Sequence, residues 1–471
     1  MARRRLHLPP AELVARGLRR IREELGVPGE HAPDVLEAAA HARDRRSDRV
    51  DLREVPFVTI DPPGSRDLDQ AYAAERTDLG YRVRYAIADV AAFVEPGDPI
   101  DRASWERAVT LYPPDGRVPL HPAALSEGSA SLLEGQDRPA VVWDLRLDDV
   151  GEVTSARLEP ATVRSRAQLT YVQAQLAIER GDDGALGLLR EIGDLREELE
   201  IRRGGIHLPL PSQEVSVTDG RYDLEFEVSL PVEEWNAHIS LMTGLAAAQG
   251  LGDAGVGLLR TLPPAEQRTI DELRRVAKAV GLRWPGSVDY PEFIRSVDPS
   301  SAAGAALLTQ ARAVFRGASY RVFTGELPHN GEHAAIGGHY SHVTAPLRRL
   351  CDRFANEILV AQGADVEPPS WAVEALEQLP EAMATGRSLE GNVDRAVIDL
   401  LETVLLSCRV GERLRGAVVG HRRDDVIVML DDPAIVARAR GSAELGAEAV
   451  VRVESADPDA RRAELVVERS G

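Results

Sequence analysis

The feature that most restricts the fold lies near the C-terminal end. After Val410 the sequence becomes five short runs of strand-like residues, RLRGAVVGH, DDVIVML, AIVARARG, EAVVRVESA and RAELVVER, with turn residues between them. Alternating apolar positions bounded by Gly, Asp and Pro mark strands with one buried face. Five such strands in roughly 60 residues predict a small closed barrel of the OB type, a common single-strand nucleic-acid module. A generic small β domain is the alternative.

The rest of the chain has a different texture. Residues 10–25 and 33–43 carry helical periodicity, the first run ending at Gly26, and a polar linker follows at 44–54. From Val55 the pattern turns strand-like, VPFVTI and then YRVRYAIADVAAFV with a polar turn between them, and VVWDLRLDD and EVTSARLEPATVRS read as further strands. Helical patterns return at 169–203, 232–251, 265–281, 302–316, 351–363 and 391–408. At 471 residues the chain is too long for one ordinary domain. No run of 18 apolar residues suggests a membrane span, and the basic start MARRRLHLPP lacks the apolar stretch of a secretory signal. Cys351 and Cys408 have no metal-ligand spacing and imply no disulfide framework, so a cytoplasmic protein is expected.

A net charge of −20 works against broad, non-specific contact with nucleic acid. Any such site must be a local basic channel in an acidic body. The basic residues are nearly all arginine, which suits bidentate phosphate contacts, although base composition would produce the same bias.

The strongest local signal is TIDPPGSRDLDQA, residues 59–71. A β run delivers Asp61, a Pro-Pro-Gly turn bends the chain, and Asp67 and Asp69 follow one residue apart. Three carboxylates brought to one point would repel each other without a cation. Hard oxygen donors select magnesium, or manganese, over zinc. Such a cage suits phosphoryl transfer. A solvated acidic turn would use the same residue types.

This cluster resembles the signature of the ribonuclease II/R family, the RNB domain, in which Asp, five residues and Asp-x-Asp-Asp-Ala follow a Thr-Ile strand. Four further stretches resemble the family's blocks in the family's order: YAIADV (85–90), LYPPDGRVPLHPAALSEGSASLL (111–133), Arg164-Ser165 with Leu169-Thr170-Tyr171, and HAAIGGHYSHVTAPLRRL (333–350). The similarity runs from about residue 50 to 405. It implies that Asp61, Asp67 and Asp69 hold magnesium and organise the attacking water. It also implies that Tyr171 packs on the 3′-terminal base, that Arg348 contacts the scissile phosphate with Arg349 beside it, and that Asp394 is a weaker substrate-binding match.

The resemblance has departures. Gln70 stands where the family has a fourth acid, a neutral and weaker metal ligand, and Asp89 either fills that gap or makes a strand-end hydrogen bond. The second base-clamping aromatic is replaced within Gly205-Ile206-His207-Leu208, and NAHISLMTG (236–244) alters another helix. His339 and His342 lack a third soft ligand for zinc. Only about 50 residues precede the catalytic block, where the family has two cold-shock barrels.

The resulting expectation is a short helical element at 1–50, resembling a degenerate helix-turn-helix, an α/β (α+β) catalytic domain with a mixed sheet and helices at 51–408, and an all-β OB-like barrel at 409–471. Its expected activity is metal-dependent 3′→5′ hydrolysis of RNA to nucleoside 5′-monophosphates by a monomer. Its substrates would be single-stranded 3′ ends, or structured RNA with a 3′ overhang. The rivals are a non-catalytic RNA-binding protein with a degenerate RNB domain, and a metal phosphodiesterase of small nucleotides.

Overall fold

The computed structural model describes residues 11–470 apart from 182–183, 209–211, 219–220, 228 and 431. Two helices come first, Ala11–Leu25 and Pro33–His41. The first buries Val14, Leu18 and Ile21, spaced four and three apart on one stripe. It lies against the long helix Leu379–Ser407, where a Cβ on Gly17 would fall 2.5 Å from a Leu400 methyl and force that side chain to move.

The centre of the molecule is one curled sheet. Its strands are β1 (Val50–Asp51), β2 (Phe57–Asp61), β3 (Gln70–Thr77), β4 (Gly80–Ala88), β5 (Asp137–Leu147) and β6 (Val153–Thr170). β6 is 18 residues long. Its first part pairs antiparallel with β5 and its last part, from Ser165 to Thr170, pairs parallel with β2. The sheet order β1-β6-β2-β3-β4-β5 therefore turns back on itself through the β5–β6 pairing. Tyr72, Tyr85 and Trp143 stand in cross-strand register and pack against the helices. Ala71, Ala73, Ala86 and Ala88 line a second cluster with Phe57 and Val142, where small side chains suit the tight curl.

Beyond the sheet come the helices Tyr171–Glu179, Ala185–Arg202 and Pro231–Asp253, and later Leu350–Gly363 and Leu379–Ser407. Strands spanning Arg413–Ser470 form a closed barrel, as the five alternating runs predict. Glu402 ties the pieces together. Its carboxylate accepts from the Val436 amide of the barrel (2.9 Å) and from the Gln213 side chain of a β hairpin (2.8 Å). Among the described residues no helix is long and apolar enough to cross a membrane.

Several elements differ from the sequence expectation. The polar turn expected after Ile60 contains a full strand, β3, whose outer half carries Glu75 and Arg76 and so hides the alternation. The helix expected over 169–203 starts at Tyr171, because β6 continues through Thr170, and is split into two near Gly181, which takes φ +87°. The last helix starts at Leu379 rather than 391. Gly386 weakens its helical signal, yet a Cβ there would lie 2.9 Å from Ala108.

Candidate active site

The site forms where β2 ends. Asp61 pairs in register with Thr170 of β6, so Tyr171 follows directly beside it. Thr170 caps the next helix, accepting from the Gln173 amide while Gln173 returns a bond to the Thr170 amide. This reciprocal cap makes Tyr171 the first helical residue and fixes its direction. Past Asp61, Ser65 N donates to the Pro62 carbonyl (3.2 Å), and Gly64 takes φ +80°. That is a type II turn, with Pro63 and Gly64 at its two centres. The following stretch is pinned by Ser131, whose hydroxyl accepts from Leu68 N at 3.0 Å.

The turn does not send the three carboxylates to a common point. Asp61 has no cation within ion-pair distance among the described residues. Burial chiefly pushes its carboxyl up to about 7, with Asp67 raising it further and Arg348 opposing. Asp67 instead turns to the Arg117 guanidinium and to Tyr112, whose hydroxyl donates at 2.9 Å. Asp69 is buried, accepts from the Leu347 amide at 2.7 Å and faces Arg348 Nε at 3.6 Å. Burial holds its carboxyl well above the usual range against the pull of Arg348.

The expected three-acid cage is thus not preformed. Among the described residues no three His, Cys, Asp or Glu side chains are placed to hold a metal ion. The donors that remain still suit magnesium, which keeps several waters and binds through one or two carboxylates plus phosphate oxygens. Asp61, lacking a cation partner, and Asp67, near enough to feel its charge, are the residues that fit.

Arg348 is the hub. Its side chain is 49% exposed, and its charge acts on Asp61, Asp69, Tyr85, Tyr112 and Tyr171. Arg349 points elsewhere, gripping buried Asp352 through Nε (3.0 Å) and Nη2 (2.8 Å). That ion pair commits Arg349 to the fold rather than to open solvent. Gln70 is likewise committed. Its amide nitrogen donates to the Thr344 carbonyl (2.6 Å) and its oxygen accepts from Tyr85 (2.9 Å). Asp89 does not fill the gap either, since it pairs with Arg49 (2.8 Å) and Arg46 (3.0 Å) and caps Ala92 N. Asp394 lies at the surface; partial burial first and then Glu214 raise its carboxyl, and Arg348 is not among its influences. His339 and His342 bond to the Pro328 carbonyl and to Tyr320.

Three residues here were not singled out in the sequence. Arg117 and Tyr112 hold Asp67, and both lie in the LYPPDGRVPL stretch that was recognised only as a block. Glu390, one helical turn before Asp394, is the acid of its helix that feels Arg348 and Arg349.

A curled mixed sheet with carboxylates at one strand end, wrapped by helices and followed by an OB-type barrel, defines an α/β domain joined to a small all-β module. The chain belongs to the RNB-domain family. The RNB domain matches residues 49–362, and the RNase II-type exonuclease C-terminal S1 domain matches residues 412–468. Ribonuclease R of Escherichia coli (strain K12) is 27% identical over 458 residues, covering 90% of this chain and 54% of that protein. The apo form of Mycoplasma genitalium RNase R superposes with a TM-score of 0.86 at 20% identity, over 96% of this chain and 78% of that one. Yeast Ssd1, a pseudonuclease, superposes with a TM-score of 0.70 at 17% identity, over 88% of this chain and 52% of that one. At such identities these two likenesses are of fold alone. The chain spans about half the length of the curated relatives it matches.

Proposed function

We propose that the chain is a magnesium-dependent 3′→5′ exoribonuclease that releases nucleoside 5′-monophosphates from single-stranded RNA, including 3′ overhangs of structured RNA. Manganese is the natural substitute ion. The observation that carries the reading is the gathering of Asp61, Asp69 and Tyr171 around the charge of one exposed arginine, Arg348, on an RNB fold. Asp61 and Asp67 would hold the metal, which when bound would lower the pKa of a water and offset charge on the phosphate. Arg348 offers guanidinium donors to the same phosphate, where charge gathers in the transition state. Asp69 keeps that guanidinium in place and fixes the Leu347 amide beside it. Tyr171 gives the terminal base a sequence-tolerant stacking face. The barrel gives the strand a second hold.

A second reading is favoured by Gln70, whose amide is spent on hydrogen bonds where an acid would bind metal. It makes the chain an RNA-binding protein without catalysis. End-labelled RNA separates the two. With magnesium the wild type should shorten RNA stepwise from the 3′ end and stop in chelator. Asp69→Asn should abolish turnover with RNA affinity nearly unchanged. Intact RNA bound by wild type at every magnesium concentration would favour the second reading.

A further inference from the structure

We infer that Gln70 is a positioning residue, the central link of a one-way hydrogen-bond chain from Ser240 through Tyr85 to Thr344 that sets the segment presenting Arg348. This deepens the proposed exoribonuclease reading and rests on it for its kinetic consequence.

The direction of the chain follows from which groups can donate. The Thr344 carbonyl only accepts, so the amide nitrogen of Gln70 must face it, as it does at 2.6 Å. The amide oxygen then faces Tyr85, which must donate its single hydroxyl proton across 2.9 Å. With that proton spent, the 2.8 Å contact between Tyr85 and Ser240 requires Ser240 to donate. Each proton has one acceptor, and buried chains of this kind polarise and strengthen one another. Tyr85 is buried.

The chain joins two paired strands to a helix and to the segment that carries Arg348. Gln70 opens β3, Tyr85 lies in β4, and Ser240 lies in the helix Pro231–Asp253. Thr344 precedes Leu347 and Arg348 by three and four residues. Two more anchors grip the same segment. Ala345 N donates to Asp352 (2.7 Å), and Leu347 N donates to Asp69 (2.7 Å). Arg348 therefore leaves a backbone held at Thr344, Ala345 and Leu347, which places its guanidinium without burying it. One turn before Ser240 on the same helix face, Asn236 lies beside the Tyr171 hydroxyl and opposes the upward push that burial gives it. A single helix thus sets both the residue assigned to the base and, through Tyr85 and Gln70, the residue assigned to the phosphate.

A carboxylate at position 70 would set acceptor against acceptor at Thr344 and break the chain there. Gln70 is then a requirement of this site's wiring, with metal held elsewhere.

The test uses Tyr85→Phe, Ser240→Ala, Ser240→Thr and Gln70→Glu in the full chain. Hydrogen exchange followed by mass spectrometry should show faster exchange over residues 341–350 in Tyr85→Phe and Gln70→Glu, with the barrel strands unchanged. In RNA turnover, kcat should fall between about tenfold and about a hundredfold at nearly constant KM, the range that slight misplacement carries. Ser240→Thr, which keeps the donor, should restore what Ser240→Ala loses. Unchanged exchange over 341–350 in both Tyr85→Phe and Gln70→Glu overturns the inference, whatever the activity. So does altered exchange with a higher KM and normal kcat. Altered exchange in a wild type that never cleaves RNA leaves the wiring standing and overturns the exoribonuclease reading instead.

Discussion

Replacing Asp61 with Asn removes one charge at nearly constant volume, and the structure says what that charge costs. Asp61 lacks a cation partner among the described residues, and its carboxyl rises from its ordinary value of 3.8 to about 7, chiefly through burial. The folded protein therefore holds a proton there, between those two values, that the unfolded chain has released. Stability carried by Asp61 is fully present below the unfolded value and is lost as pH rises to about 7, above which the cost is constant. Roughly 3 units at about 1.4 kcal/mol each give a ceiling of about 4 kcal/mol. Partial solvent access trims this, so in chelator at pH 8 Asp61→Asn should be about 2 to 4 kcal/mol more stable than wild type. Near pH 4.5 the difference should shrink to about 1 kcal/mol. Urea unfolding followed by tryptophan fluorescence at both pH values measures it. Magnesium at pH 8 should stabilise the wild type and not the variant. Parallel pH profiles for the two proteins would refute the reasoning, because an Asp61 that is charged at no cost is neither buried nor waiting for a cation.

Two further substitutions probe the neighbourhood. Asp352→Ala strands the Arg349 guanidinium and the Ala345 amide, and should lower unfolding stability by about 3 to 5 kcal/mol in a denaturant titration. Arg117→Ala frees Asp67 from its guanidinium partner, and should lower the magnesium concentration for half-maximal RNA cleavage by about threefold or more. An unchanged magnesium requirement would remove Asp67 from the metal's ligands.

The barrel strands were legible because each declares its period in its own residues, while closure comes from the parallel pairing of Ala439 and Arg440 with Leu465 and Val466, which no local pattern encodes. The approach of Asp61 to Tyr171 was legible only in part. The motif gave the residues, while their contact comes from the parallel register of β2 with β6, which no local pattern encodes. The facing of carboxylates was not legible at all. Asp67 and Asp69 are separated only by Leu68, yet one turns to Arg117 and the other to Leu347 and Arg348. Their partners lie some 50 and 280 residues away in sequence. Arg349 and Gln70 read as site residues because they sit inside site motifs, but buried Asp352, one helical turn on, takes Arg349, and Tyr85 with the distant Thr344 carbonyl takes Gln70. β3 escaped because Ala71, Tyr72 and Ala73 are buried in succession and its second half faces water, so no period of two marks it as a strand.

The central claim is hydrolysis from the 3′ end at a site organised by Arg348, and its most direct measurement is the identity of the first product. Single-stranded RNA carrying a radiolabelled phosphate between its last two nucleotides should be incubated with the wild-type chain and magnesium, and the released label separated by chromatography. Release of the label as nucleoside 5′-monophosphate before any internal fragment appears is the predicted result. Label retained on intact RNA that the protein nonetheless binds, or released as a 3′-phosphate or an internal fragment, would contradict the account.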